Sequence, residues 1–265
     1  MRYVILLLCA VLTIGVLLWG IAPRVFSYGT KDASFHTPQV FELIDSPEET
    51  LERQPPFSRG EQFVYTLNYK SLPLGSSTLT FEGERDLHGT PAYFITFTTQ
   101  MPTIKDAEHI YADKETFLPL QVNRHIQKIA QFPTDITEQY DQDEFKVTIK
   151  KEGKFLSKTF TIKKETPIHN AILLTYYYRT LDPIDKDHVY HIALPTTEFK
   201  VSYEGTQEIS TGIGTQEAHV FSSVPSRFKV WLSADDKRVP LRIENEGAMG
   251  YSLVLDSIVE ETPAP

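Results

Sequence analysis

Residues 168–180 read IHNAILLTYYYRT, and the fold turns on how this stretch is read. Ile168, Ala171, Ile172, Thr175, Tyr176 and Arg179 recur at helical spacing, with no Gly or Pro among them. Pro167 stands just ahead, where a missing N–H costs a helix nothing. Leu173, Leu174, Tyr177 and Tyr178 make the segment apolar on nearly every side, so it requires cover all round. Asp182-Pro183 ends it, because the residue before Pro is pushed out of the helical region. The pattern predicts one buried helix over 168–180, filling the mouth or concave face of a curved sheet.

On both sides the period changes to two. Phe63, Tyr65, Leu67 and Tyr69 alternate with Gln62, Val64, Thr66 and Asn68. Leu79 and Phe81 repeat the pattern, as do Tyr93, Ile95 and Phe97, then Phe145, Val147 and Ile149, then Phe160 and Ile162. Beyond the helix, strands are predicted near 188–194, 198–203, 214–221, 228–232, 239–244 and 251–259, with residues 234–237 as a tight hairpin turn. Strands about ten residues apart, with turn signals between them, mark an antiparallel meander or barrel. The expected class is mainly β: a single antiparallel curved sheet or half-barrel with one buried α-helix, plus an N-terminal transmembrane or signal helix.

That N-terminal helix is residues 4–22, apolar almost throughout and preceded by Arg2. The run is long enough to span a hydrocarbon core and longer than the usual core of a cleaved signal. Residues 1–29 are therefore read as an inner-membrane anchor left uncut, or alternatively as a removed signal peptide. Residues 30–57 read as a linker, 58–260 as one β-rich exported domain, and 261–265 as a polar tail. The implied location is periplasmic. A net charge of −9 argues against nucleic acid and against electrostatic docking on an anionic membrane. Cys9, the single cysteine, lies inside the apolar run, which leaves the exported part without thiol chemistry.

Several short motifs occur in order. They are Gly60-Glu61 followed by Tyr65, Leu74-Gly75, Thr116-Phe117-Leu118-Pro119, Tyr176-Tyr177-Tyr178-Arg179, and Trp231-Leu232-Ser233 followed by Asp236 and Arg238-Val239-Pro240. Together they resemble an uncharacterised family of exported bacterial proteins known as a domain of unknown function, DUF-3108. The sequence departs from the family where Asp185-Lys186-Asp187 fills a turn that normally carries Gly. The resemblance implies an envelope location and the extent of the domain, and no activity.

No catalytic, cofactor or metal pattern stands out. His188 and His191 lie three apart in a predicted strand, so their rings point to opposite faces. His169 opens the predicted helix and reads as an entrance residue bonded to backbone, or as a general base if a partner lies beside it. Asp235-Asp236 fits a turn better than a carboxylate pair. Ser76-Ser77 and Ser222-Ser223 lack nucleophile-elbow glycines, and Gly212-Ile213-Gly214 precedes no helix. Arg238 reads as a lock on the turn near Trp231. The aromatic stripes line either a filled core or a ligand cavity. On the cavity reading the protein binds an apolar ligand such as a lipid chain, with Tyr65, Phe97, Ile172 and Tyr176 as walls. On the core reading it is an envelope interaction module that pairs with a protein partner through an edge strand.

Overall fold

The computed structural model describes residues 57–259, apart from Ser71, Asp182 and residues 246–249. The expected anchor at 4–22, the linker expected at 30–57 apart from Phe57, and the tail at 261–265 lie outside the described residues; Phe57 is not linker but core, its ring packed against Phe81 and Tyr176. Eight strands come first: β1 (Gln62–Tyr69), β2 (Leu72–Leu87), β3 (Thr90–Met101), β4 (Ile104–Ala112), β5 (Pro119–Lys128), β6 (Thr134–Asp141), β7 (Lys146–Gly153) and β8 (Leu156–Lys163). The helix α1 (Leu173–Thr180) follows. Six further strands follow among the described residues: β9 (Val189–Ala193), β10 (Glu198–Thr211), β11 (Gly214–Val224), β12 (Phe228–Ser233), β13 (Pro240–Asn245) and β14 (Tyr251–Val259).

All fourteen strands form one open antiparallel sheet, in the order β8-β7-β6-β5-β4-β3-β2-β1-β14-β13-β12-β11-β10-β9. Two meanders thus meet at the first and last strands, with Phe63 opposite Ile258 and Leu67 opposite Leu253. The alternation read from the sequence sets which side faces inward. Along β1, Phe63, Tyr65 and Leu67 are buried, and the residues between them are only partly covered.

The sheet cannot be flat. Tyr176 touches the ring of Phe81 on β2, and Tyr178, two positions on, touches Tyr190 on β9. Those strands are seven spacings apart, roughly 33 Å in a flat sheet. The terminal strands approach in the same way. The Lys164 N–H donates to the Phe145 carbonyl beside β7, and Ile168 bridges to Ala193 at the end of β9. Five residues reach about 18 Å at most, against roughly 58 Å in a flat sheet. The β10–β11 turn also lands on β14, past the end of the short β13, where the Gly212 N–H donates to the Leu255 carbonyl at 2.8 Å. Only glycine fits this approach, since a Cβ there would lie 2.3 Å from the Asp256 carbonyl oxygen.

The helix is shorter than the sequence predicts. It starts at Leu173, not at residue 168. Ile168 is drawn into the bridge to Ala193, and the His169 N–H donates to the Ala193 carbonyl at 2.7 Å. The Asn170 side chain then accepts the N–H groups of Ile172 and Leu173, as a capping residue does. At the other end Leu181 is extended, two residues ahead of Pro183.

Inside the curl, α1 separates two aromatic clusters. Tyr176 packs with Phe57, Phe81 and Phe117. Tyr178 stacks on Phe221 at 4.8 Å and meets Tyr190 and Phe228. Between them Arg179 is fully buried. Its guanidinium gives two hydrogen bonds to the Glu61 carboxylate, at 2.8 and 2.9 Å, and one to the Lys237 carbonyl. The rings of Phe57 and Phe63 each lie 5.2 Å away. Arg238 does hold its turn, where its N–H donates to Asp235, and its guanidinium reaches the Arg179 carbonyl. Trp231 lies beneath Lys229 and Arg242.

Removing one member of a buried ion pair leaves the other charge stranded. Arg179→Met is expected to lose about 3–5 kcal/mol in urea unfolding, and the double variant Glu61→Leu/Arg179→Met less than Arg179→Met alone.

Candidate functional site

At the start of α1 several connections meet and leave a cleft. The β4–β5 loop forms one wall. Asp113 Oδ1 accepts from the N–H groups of Glu115 and Thr116 and from the Thr116 hydroxyl, and the Asp113 N–H donates to the Leu118 carbonyl. Burial alone would raise the Asp113 carboxyl, but these hydrogen bonds prevail and hold it below the usual range. The closed loop forces Phe117 to φ +55°, a strained conformation for a bulky residue. Its ring is thereby turned onto Tyr93 and Tyr176.

The opposite wall is the approach to α1. Gln142 fixes it, accepting the Ile168 N–H while its own amide donates to the carbonyls of Ile168 and Pro119. The cleft encloses about 370 Å³. Phe117, Leu118, Leu173, Leu174 and Tyr177 supply apolar walls, and His169 and Asn170 lie on the polar side. The buried Nδ1 of His169 has no hydrogen-bond partner. Burial lowers the imidazole pKa against the pull of the Ala193 and Pro167 carbonyls, so the ring is neutral at neutral pH.

Further along the concave face the lining turns polar. Arg124 on β5 holds Asp106 on β4 through a two-point ion pair, and its Nε lies 3.4 Å from Glu108. Glu138 on β6 accepts from the Tyr140 hydroxyl, and Ser77 bonds Thr99 at 2.8 Å. Burial would discharge Arg124, but Glu108 and Asp106 offset it and hold the cation. The Glu108 carboxyl is pushed up to about 7, first by burial and then by Asp106 and Glu138, with Arg124 opposing. Tyr251 on β14 feels the same charges from across the curl.

The family model described as protein of unknown function (DUF3108) matches residues 64–256. The chain belongs to this family. No curated protein matches it. Two solved structures show a likeness to this DUF3108 chain. One, from Bacteroides fragilis, is described as an inferred exported protein with a YmcC-like fold; it is 10% identical, with 77% of this chain and 98% of that chain covered and a TM-score of 0.28. The other, from Parabacteroides distasonis, is described as an inferred lipoprotein; it is 9% identical, with 76% and 96% covered and a TM-score of 0.28. At those scores the likeness carries no further argument.

The four residues expected as ligand walls are scattered in the DUF3108 domain. Tyr65 is fully buried, and its hydroxyl donates to the Pro240 carbonyl. Phe97 is half-buried on β3, opposite Leu79 and Glu108. Tyr176 is fully buried behind Phe117, and Ile172 is half-buried just ahead of α1. None of the four is among the residues lining the cleft. Asp235 takes its turn role, accepting from Ser233 and from the Arg238 N–H. Among the described residues no group of three or more His, Cys, Asp or Glu side chains is placed to hold a metal ion. The charged patch was missed from sequence, although Asp106 and Glu108 share strand parity with buried Ile104 and Ile110.

An acid whose folded-state pKa exceeds its unfolded value of 4.5 holds its proton more tightly when folded. The stability from Glu108 is therefore complete below about pH 4.5 and is lost as pH rises through about 7. Glu108→Gln is expected to flatten that decline and to gain about 1–3 kcal/mol at pH 8, read from urea unfolding at both ends of the range.

Proposed function

We propose that this protein is an exported, non-catalytic envelope protein, tethered in the inner membrane by residues 4–22, that binds an apolar ligand such as a lipid chain. The observation that carries the reading is the cleft at the start of α1. Its volume of about 370 Å³ falls at the lower end of the range for ligand sites, and its walls combine apolar side chains with a few polar ones. His169 lines the polar side of the cleft with a ring that burial keeps neutral, suited to a carboxyl or hydroxyl at the end of an acyl chain. The charged stretch around Arg124 provides no apolar bed, which favours the cleft over the broad concave face. Leu118 is a half-buried wall residue of the cleft. With the full chain in detergent micelles and a fluorescent fatty acid as probe, Leu118→Lys is expected to weaken binding at least about tenfold, since it buries a charge against the chain. Equal binding by the variant, or none by the parent, would exclude the cleft.

A second reading rests on β8. It is a terminal strand of the sheet, and six of its eight residues are exposed. A partner strand could extend the sheet there, although Lys158 and Lys163 are the charges that commonly guard such edges. Thr159→Pro is expected to abolish recovery of an edge-bound partner from envelope extract, and unchanged recovery of every partner would remove this reading.

A further inference from the structure

The turns joining β1 to β2, β3 to β4, β5 to β6 and β7 to β8 share one end of the sheet, because an antiparallel meander reverses at alternate ends. The last two of these turns carry large apolar side chains in solvent. Phe155 is 84% exposed, Ile129 68%, Leu156 60% and Phe132 57%. Strand register gathers them: Asp135 lies opposite Glu152, which sets the β5–β6 turn beside the β7–β8 turn. The rings of Phe132 and Phe155 meet edge to face at 5.9 Å.

The surroundings are basic. Residues 128–135 and 150–159 contain Lys128, Lys150, Lys151, Lys154 and Lys158 against Asp135 and Glu152; Asp135 is paired with His125 and Glu152 with Lys150. Lys154 Nζ sits 3.7 Å over Phe132 and 5.0 Å from Phe155. Lys151 is disfavoured as a cation by burial and by the repulsion of Lys128 and Lys158, the mark of a locally positive field. The chain total of −9 does not cancel it, because charges beyond about 8–10 Å are screened in salt.

We propose that this tip docks on an anionic phospholipid surface, with Phe132, Phe155 and Leu156 seated among the headgroups and the lysines against lipid phosphates. The apolar groups stand in solvent on two adjacent turns at one end of the sheet, interleaved with lysines, which suits an interface that is apolar beneath and anionic at its surface. Phe and Leu beside Lys are the side chains that seat interfacial segments at the boundary of headgroups and acyl chains. Each lysine near an anionic leaflet strengthens partitioning roughly five-fold. Overall charge, which argued against such docking, misses a patch whose sign differs from that of the whole. The tip is separate from the cleft at α1, so this inference stands apart from ligand binding there.

The test uses the full chain with Cys9→Ala, reconstituted in phosphatidylcholine vesicles with or without phosphatidylglycerol. An environment-sensitive fluorophore is attached through Ser157→Cys at the tip, or through Asp236→Cys in the exposed β12–β13 turn as control. The tip probe is expected to brighten about three-fold and shift to the blue only with phosphatidylglycerol, and to revert in high salt. Phe132→Ser/Phe155→Ser should abolish the response with an unchanged urea midpoint, since both rings are exposed. A tip probe that stays in water, responds equally without phosphatidylglycerol, or responds no more than the control overturns the proposal. So does shielding that appears only when envelope protein is added.

Discussion

Arg179 and Glu61 are 118 residues apart in sequence and meet inside the protein. A buried guanidinium is tolerated only where its donors find acceptors, and this one finds a carboxylate, a backbone carbonyl and two flanking rings. The pair ties the last turn of α1 to the residue just before β1, and the Lys237 carbonyl ties it to the β12–β13 turn. An eight-residue helix is too short to persist alone in water. It exists because the sheet encloses it, and the sheet curls because both its halves pack on the helix.

The division of rings across α1 follows from the same constraint. Tyr176 faces the cluster of Phe57, Phe81 and Phe117, and Tyr178 faces that of Tyr190, Phe221 and Phe228. Both hydroxyls are buried without a hydrogen-bond partner, a cost of roughly 1–3 kcal/mol each. Ring burial of about 1.5–3 kcal/mol per side chain offsets it. Desolvation also raises both phenol pKa values, which keeps the rings uncharged.

Three chemically distinct regions result. The cleft by α1 is apolar with one polar side; the concave face around Arg124 carries charge; and the far turns expose aromatic rings among lysines. The first is an apolar recess, the second is a bed of paired charges, and the third presents rings and ammonium groups to solvent. A single binding face spread over the whole curved sheet is not what this division supports.

Much of the fold was legible because local parity is written in consecutive residues. The alternation around Phe63, Tyr65 and Leu67, the turn at Asp235 and the all-round apolarity of α1 each follow from neighbours in the chain. The helix start was misplaced because Asn170 could be recognised as a capping residue only once Ile168 was known to pair with Ala193. The cleft drew on Phe117-Leu118 and Leu173-Leu174, visible as apolar residues yet separated by more than fifty positions. Likewise Asp106, Glu108 and Arg124 read as ordinary surface charges until register set them on one inner face, and the total of −9 concealed the basic tip. Sequence alone therefore determined the strands, their inward parity and the presence of one buried helix, since these depend on side chains a few residues apart. Which strands join, how far the sheet curls and which charges meet were decided only by the tertiary structure, because each depends on a contact that costs chain entropy and forms only with the others.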